Sequence, residues 1–240
     1  MSLLFYFFRT GFSLEKARYR QLREDLRQDI LLEKIKEDGF QGQYGQDLFA
    51  SNYFNGKKEG TFVDIGANDG KTFSNSYALE KNYNWKGLCV EPLPEEFEQL
   101  KKIRKCALEN KCIGEQKSKA KFLVHGMLSG IVDTYDKKHL HRIIREEKES
   151  GKKERKFITV DVVPLLFLLE KYNIEKIDFL SIDVEGAEKS VLDGIDLQNI
   201  DVQLIAIENN YKDIDLYKKI IQQGYKLSAV LGCDEIFEKV

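Results

Sequence analysis

Apolar and polar positions follow two alternating patterns along the chain. From Ser13 to Asp38, Leu14, Ala17, Leu22, Leu26, Ile30, Leu31 and Ile35 recur at helical spacing on a charged background. This predicts an amphipathic helix with Ser13 as N-cap and Gly39 as stop. Beyond it the apolar residues fall into short runs rich in β-branched side chains, at Phe62–Ile65, Gly87–Val90, Cys106–Leu108, Phe122–Val124, Phe157–Val160, Ile177–Ile182 and Val202–Ile207. A closing pair lies near Leu227–Val230 and Glu235–Phe237. Runs of this length read as strands, and the segments Ser74–Lys81, Glu95–Lys105, Leu165–Tyr172 and the run to Leu192 read as helices between them. Strands alternating with helices predict an α/β fold around a mostly parallel sheet.

Several of the apolar runs stop at acids. Phe62-Val63-Asp64-Ile65 enters the turn Gly66-Ala67-Asn68-Asp69-Gly70, a strand handing over to a helix through glycines. In open α/β sheets small molecules sit beyond the carboxyl ends of the strands, so Asp64, Gly66, Ala67, Asn68 and Gly70 are expected around a cofactor. A dinucleotide fingerprint wants glycines at the first, third and sixth places, and Ala67-Asn68 breaks that pattern. S-adenosylmethionine fits better: its ammonium needs an acid, as Asp64 would supply, and its carboxylate needs bare backbone, as the Gly66 turn would supply. Glu91, at the end of Gly87–Val90 and about 20 residues past the turn, stands where an acid hydrogen-bonds ribose hydroxyls, with Pro92 beside it. Ala107, in a short third strand, lies next to where an adenine ring would rest. A nicotinamide enzyme would use the same second acid, so an NAD(P)-dependent oxidoreductase stays open as an alternative.

Composition narrows this. The 240 residues suffice for one sizeable α/β core, with 42% hydrophobic residues and three prolines, and no linker or repeat is visible. The expected organisation is a helical extension over residues 1–40 and a single domain over residues 41–240, with a charged insertion near residues 133–156. A net charge of −2 gives no general case for nucleic-acid binding. Cys89, Cys106, Cys112 and Cys233 form no Cys-x-x-Cys pair, and three histidines leave little for a zinc site, so reduced thiols in a cytoplasmic protein are expected. Met1–Phe8 is apolar and aromatic, but Arg9 ends the run well short of a membrane span and no small-residue cleavage site follows, so it is not an ordinary signal peptide. The helix over residues 13–38 packs on the domain or on a second copy of the chain; alternatively Leu3–Phe8 dips into a membrane interface while Arg18, Arg20 and Arg23 face lipid phosphate. Gln41–Asp47 caps a helix or walls the cofactor pocket, and the run Lys137–Lys156, with His139 and His141, is a solvated helix or a surface for an acidic substrate.

The block Ile182-Asp183-Val184-Glu185-Gly186-Ala187-Glu188 repeats the pattern of a strand ending in acids and a glycine, and Val202–Ile207 ends at Glu208-Asn209-Asn210. With Phe62–Gly70, the lead-in Gln43-Tyr44-Gly45-Gln46-Asp47 and the segment Trp85-Lys86-Gly87 to Glu91-Pro92, the sequence resembles the FkbM-type methyltransferases from about Gln43 to about Asn210. The resemblance implies a class I Rossmann-like fold with a central, mostly parallel seven-stranded sheet flanked by helices. It also implies S-adenosylmethionine as donor and O-methylation of a sugar, glycan or related natural product. Methyl transfer to oxygen needs an aligned acceptor and removal of the hydroxyl proton. Asp183, also beside the cofactor, is the preferred base; Glu185 would orient substrate, and His125 is a competing base. Glu188 reads as a first-turn charge favoured by the helix dipole. Asp183, Glu208 and Asn209 would make an oxygen-rich set suited to magnesium, resembling some magnesium-dependent sugar O-methyltransferases. A non-catalytic adaptor that keeps the fold is the remaining alternative.

Overall fold

The computed structural model describes residues 3–30, 35, 38–135, 137–151 and 154–240, with the side chains of residues 3–13 outside the description. In chain order the elements are α1 (Leu3–Asp25), α2 (Gln46–Tyr53), β1 (Thr61–Ile65), α3 (Tyr77–Tyr83), β2 (Lys86–Val90), α4 (Pro94–Ile103) and β3 (Ala107–Glu109). There follow β4 (Cys112–Ile113), β5 (Ser118–Val124), β6 (Gly130–Ile131), α5 (Lys137–Ser150), β7 (Lys156–Val163) and α6 (Leu165–Lys171). The chain closes with β8 (Lys176–Ile182), α7 (Glu188–Asp193), β9 (Asp201–Glu208), α8 (Ile214–Ile221), β10 (Tyr225–Leu231) and β11 (Asp234–Lys239).

Among the described residues these strands form a seven-stranded sheet in the order β10-β11-β9-β8-β1-β2-β3. β11 is its one reversed member, antiparallel to both β9 and β10. The order runs outward from β1 in both directions, which makes the β8–β1 boundary the switch point where a crevice opens. β1, β8 and β9 are nearly continuous apolar runs because both faces are covered. Val63, Ile65, Leu180, Ile182, Ile205 and Ile207 pack into one core, and Phe62, Phe179, Leu204 and Ala206 into the other.

The strands expected at Phe122–Val124 and Phe157–Val160 lie in a second sheet, ordered β4-β7-β5-β6 and inserted between β3 and β8. β5 and β7 pair antiparallel over their whole length. The charged run forms α5, whose buried positions are His139 and Ile143, one helical turn apart.

The N-terminal helix differs from its expected bounds. Ser13 lies inside α1 and not at its start, and the helix ends at Asp25 because the chain then pairs with the edge of the sheet: Gln28 N–H donates to the Val230 carbonyl at 3.0 Å and Val230 N–H to that of Leu26 at 3.1 Å. Leu31 of the expected stripe lies outside the described residues. Leu14 is exposed, whereas Leu22 and Leu26 pack on the core. Arg23 is not available to lipid: it is buried in an ion pair with Glu235, which also accepts from the Tyr19 hydroxyl. No helix among the described residues is long and apolar enough to cross a membrane. The first crossover helix is shorter than expected, because Ser74 and Ser76 turn their hydroxyls toward Asp64 instead of joining it.

Candidate active site

The turn after β1 lies where the sequence places it. Gly66 N–H and Ala67 N–H donate to the Val90 carbonyl at 2.9 and 3.1 Å, tying the turn to the end of β2. Gly66 and Asn68 adopt positive φ, which directs the turn backbone over the strand ends. Glu91 closes this corner: its carboxylate accepts from Asn68 N–H at 2.9 Å and Leu93 N–H at 2.8 Å. Burial pushes its pKa up to about 7 against the pull of those two donors.

A cleft opens above this corner, between the main sheet and the inserted one. Of the expected cofactor residues, Gly66, Asn68, Glu91, Pro92 and Asp183 line it. Asp64, Ala67, Gly70 and Ala107 do not. Asp64 is buried beneath the turn, accepting from the Ser76 hydroxyl and facing the Arg104 guanidinium, so its carboxylate supports the corner from below and does not present an acid to the cleft. Arg104 also donates to the Ser76 hydroxyl at 3.0 Å and the Gly70 carbonyl at 3.3 Å. Gly70 sits at positive φ, which strains any side chain, and Leu100 and Arg104 pack where a Cβ would point. Ala67 belongs to the core. On the β3 side the cleft wall is Lys111, Cys112 and Ile113, which displaces Ala107 from the expected adenine position.

The loop after β8 bends sharply at Glu185 and Gly186, both at positive φ, and carries Asp183 and Glu185 into the cleft wall. One carboxylate oxygen from each of Asp183, Glu185 and Glu208 lies within 4.8 Å of the others. Burial and the surrounding acids, Asp234 foremost, hold the Asp183 carboxyl well above its usual range. Burial, then Asp183, Glu185 and Glu188, push Glu208 up to about 11. Glu185 rises to about 7 through burial, opposed by Arg142 of α5 at 3.3 Å. Glu188 folds back to accept from Gly186 N–H at 2.9 Å, serving the loop from the first turn of α7.

Two expected residues are not brought in. Asn209 spends its amide on the Tyr19 hydroxyl at 2.9 Å and on the backbone of Asp213, so Glu185 takes its place in the oxygen-rich set. His125 faces Glu146 at 3.8 Å and lines a separate shallow hollow with it, outside the cleft. The charged insertion contributes His139, expected only as part of a solvated helix or an acidic-substrate surface, and it is buried. His139 stacks on Tyr135 at 4.7 Å and packs against Gly186, where a Cβ would lie 2.9 Å from its ring. In sequence His139 and Ile143 share their spacing of four with Leu140 and Ile144, so periodicity alone does not say which pair faces inward. A second cavity, open to solvent, is lined by Gly186 and Glu188 of the loop and shares Glu208 with the acid cluster.

Among solved structures the chain is similar to the methyltransferase FkbM from Methylobacillus flagellatus KT, at 14% identity over 91% of this chain and 50% of that one, with a TM-score of 0.49. It thus spans about half the length of that relative. It is also similar to a TehB-like SAM-dependent methyltransferase from Corynebacterium glutamicum ATCC 13032 Kitasato, at 9% identity over 93% of this chain and 99% of that one, with a TM-score of 0.41. A METTL16 MTase domain aligns at 12% identity over 80% of this chain and 64% of that one, with a TM-score of 0.43. No curated protein matches the chain. The family model of the methyltransferase FkbM domain matches residues 64–227, more than half of the chain, and the protein belongs to that family.

Proposed function

We propose that the protein is an S-adenosylmethionine-dependent O-methyltransferase acting on a hydroxyl of a sugar, glycan or related natural product. The observation that carries this reading is the meeting of two corners at one sheet edge: the Gly66–Asn68 turn with Glu91, and the carboxylates of Asp183, Glu185 and Glu208. The cleft fits the donor's chemistry, with bare turn backbone for an amino-acid end and a buried carboxylate at the neighbouring strand end for ribose hydroxyls. When bound, S-adenosylmethionine supplies a sulfonium-activated methyl group and leaves as the neutral thioether.

Within this reading Asp183 accepts the acceptor's hydroxyl proton as the carbon–oxygen bond forms. Three acids so close cannot all ionise in a buried site, so a proton is retained among them until a positive charge arrives. The donor's sulfonium beside Asp183 would favour its carboxylate form, coupling donor binding to activation of the base. Arg142 and Glu185 set the loop's orientation from the insertion side. The all-oxygen donor set also fits magnesium: Asp183, Glu185 and Glu208 would hold it, and it would lower the pKa of a nearby hydroxyl.

The test is to incubate the full chain with S-adenosylmethionine and a panel of sugars, with chelator and then with magnesium restored, and to measure S-adenosylhomocysteine. Acceptor-dependent release supports the reading, and recovery on magnesium addition assigns the metal to the cluster. Release that is absent for every hydroxyl acceptor would reject it.

A further inference from the structure

Two of the four thiols lie in contact. Cys89 of β2 and Cys106, in the bend that leads into β3, place their Sγ atoms 3.6 Å apart. Their surroundings differ. Cys89 is buried among Phe62, Leu100 and Phe179, whereas Cys106 is half-buried at the margin of the same core. Cys106 precedes Ala107, the first residue of β3 to pair with β2, so it stands outside the paired register and its backbone is free to follow its side chain. A disulfide holds its sulfurs about 2 Å apart, which leaves a gap of about 1.6 Å to close.

A buried cation attends the pair. The Arg104 guanidinium, two residues before Cys106, acts on both sulfurs and on the carboxylates of Asp64 and Glu80. Its positive charge favours the thiolate, the reactive form of cysteine. Burial and the neighbouring thiol hold Cys89 well above the ordinary thiol range against that pull, so the more accessible Cys106 reacts first and Cys89 second. The other two thiols lack this arrangement. Burial pushes the Cys112 thiol up to about 12, and at Cys233 burial, then the carboxylates of Asp234 and Glu208, oppose ionisation.

We propose that Cys89 and Cys106 form a redox site that takes a small hydroperoxide as oxidant and closes to a disulfide. The Cys106 thiolate attacks the peroxide, the O–O bond breaks, hydroxide leaves and a sulfenic acid forms. The Cys89 sulfur then attacks the Cys106 sulfur, the S–O bond breaks, and the departing hydroxide takes the Cys89 proton to leave as water. With hydrogen peroxide, two thiols are oxidised and the peroxide is reduced to two waters. Closure draws the bend at Cys106 toward β2 and pulls on Arg104, whose guanidinium holds Glu80, the Ser76 hydroxyl and the Gly70 carbonyl. The disulfide therefore loosens the support beneath the Gly66 turn. This is the donor corner of the methyl-transfer reading, and the disulfide itself does not rest on that reading.

The experiment treats the full chain with hydrogen peroxide, blocks remaining thiols with iodoacetamide and maps the cysteines by mass spectrometry of unreduced peptides. Hydrogen exchange over residues 70–77 is measured before and after oxidation. We expect one cross-link, Cys89 to Cys106, reversed by dithiothreitol, with Cys112 and Cys233 alkylated. Amide exchange over residues 70–77 should be at least about threefold faster in the oxidised chain. In Cys89→Ala the reaction should stop at the Cys106 sulfenic acid, trapped as a dimedone adduct. Four thiols left alkylated, Cys106 oxidised beyond the sulfenic acid while Cys89 is still alkylated, no dimedone adduct in the variant, or a cross-link that leaves exchange unchanged would overturn the proposal.

Discussion

A Cβ on Gly66 would lie 1.7 Å from the carbonyl oxygen of Asp183. The turn that closes β1 and the loop that leaves β8 are thus interlocked, and Asp183 N–H returns a hydrogen bond to the Ile65 carbonyl at 3.0 Å. Gly66→Ala should cost more than about 3 kcal/mol, from positive φ and the backbone collision together. Gly126→Ala is the control, since Gly126 also has positive φ but a Cβ there meets nothing within 4 Å; about 1 kcal/mol is expected. Denaturant unfolding checks both, and equal costs would remove the interlock.

The acid cluster makes stability fall as pH rises. Glu208, with a folded pKa near 11 against an ordinary value of 4.5, keeps its proton in the folded chain while the unfolded chain loses it. Its contribution is complete below the unfolded pKa and declines steadily as pH rises toward the folded one, by on the order of 1 kcal/mol per pH unit. Glu208→Gln should therefore flatten the pH dependence, raising the melting temperature at about pH 8 relative to wild type and leaving it nearly unchanged at about pH 4. Thermal unfolding across that range measures it; a variant that tracks wild type would contradict the assignment.

The Arg23–Glu235 pair fastens α1 to β11. Replacing Arg23 by Met leaves a buried carboxylate without its cation and should cost about 3–5 kcal/mol, whereas replacing both by Met should restore most of the loss. A double-mutant cycle on unfolding free energies checks this. A small cost for the single change would mean that the helix is loosely attached.

If Asp183 is the base, Asp183→Asn should lower turnover by about two to four orders of magnitude while leaving S-adenosylhomocysteine binding in place. His125→Ala should leave turnover within about twofold, because His125 lies outside the cleft. Steady-state kinetics separates the two, and the reverse pattern would move the base to His125.

The strand ends are readable because β2, β8 and β9 are apolar runs that reach acids at Glu91, Asp183 and Glu208, and β1 carries Asp64 one residue before its end; a parallel sheet must put those positions near one edge. Direction was not readable. Asp64 and Glu91 look alike in sequence, yet residue alternation and the Ser74–Ser76 turn send one below the sheet corner and leave the other at the cleft. The inserted sheet escaped because the pairing of β5 with β7 spans the whole of α5, and periodicity carries no record of such long-range register. The hydrogen bond from Asn209 to Tyr19 is illegible for a similar reason, since the two lie 190 residues apart.

The most direct measurement is titration of the purified chain with S-adenosylmethionine, S-adenosylhomocysteine and NAD, repeated on Glu91→Ala. Binding of the first two, no binding of NAD, and at least about tenfold weaker binding in the variant are expected if Glu91 meets the donor's ribose. Binding of NAD alone, or no binding of S-adenosylmethionine, would contradict the methyl-donor cleft.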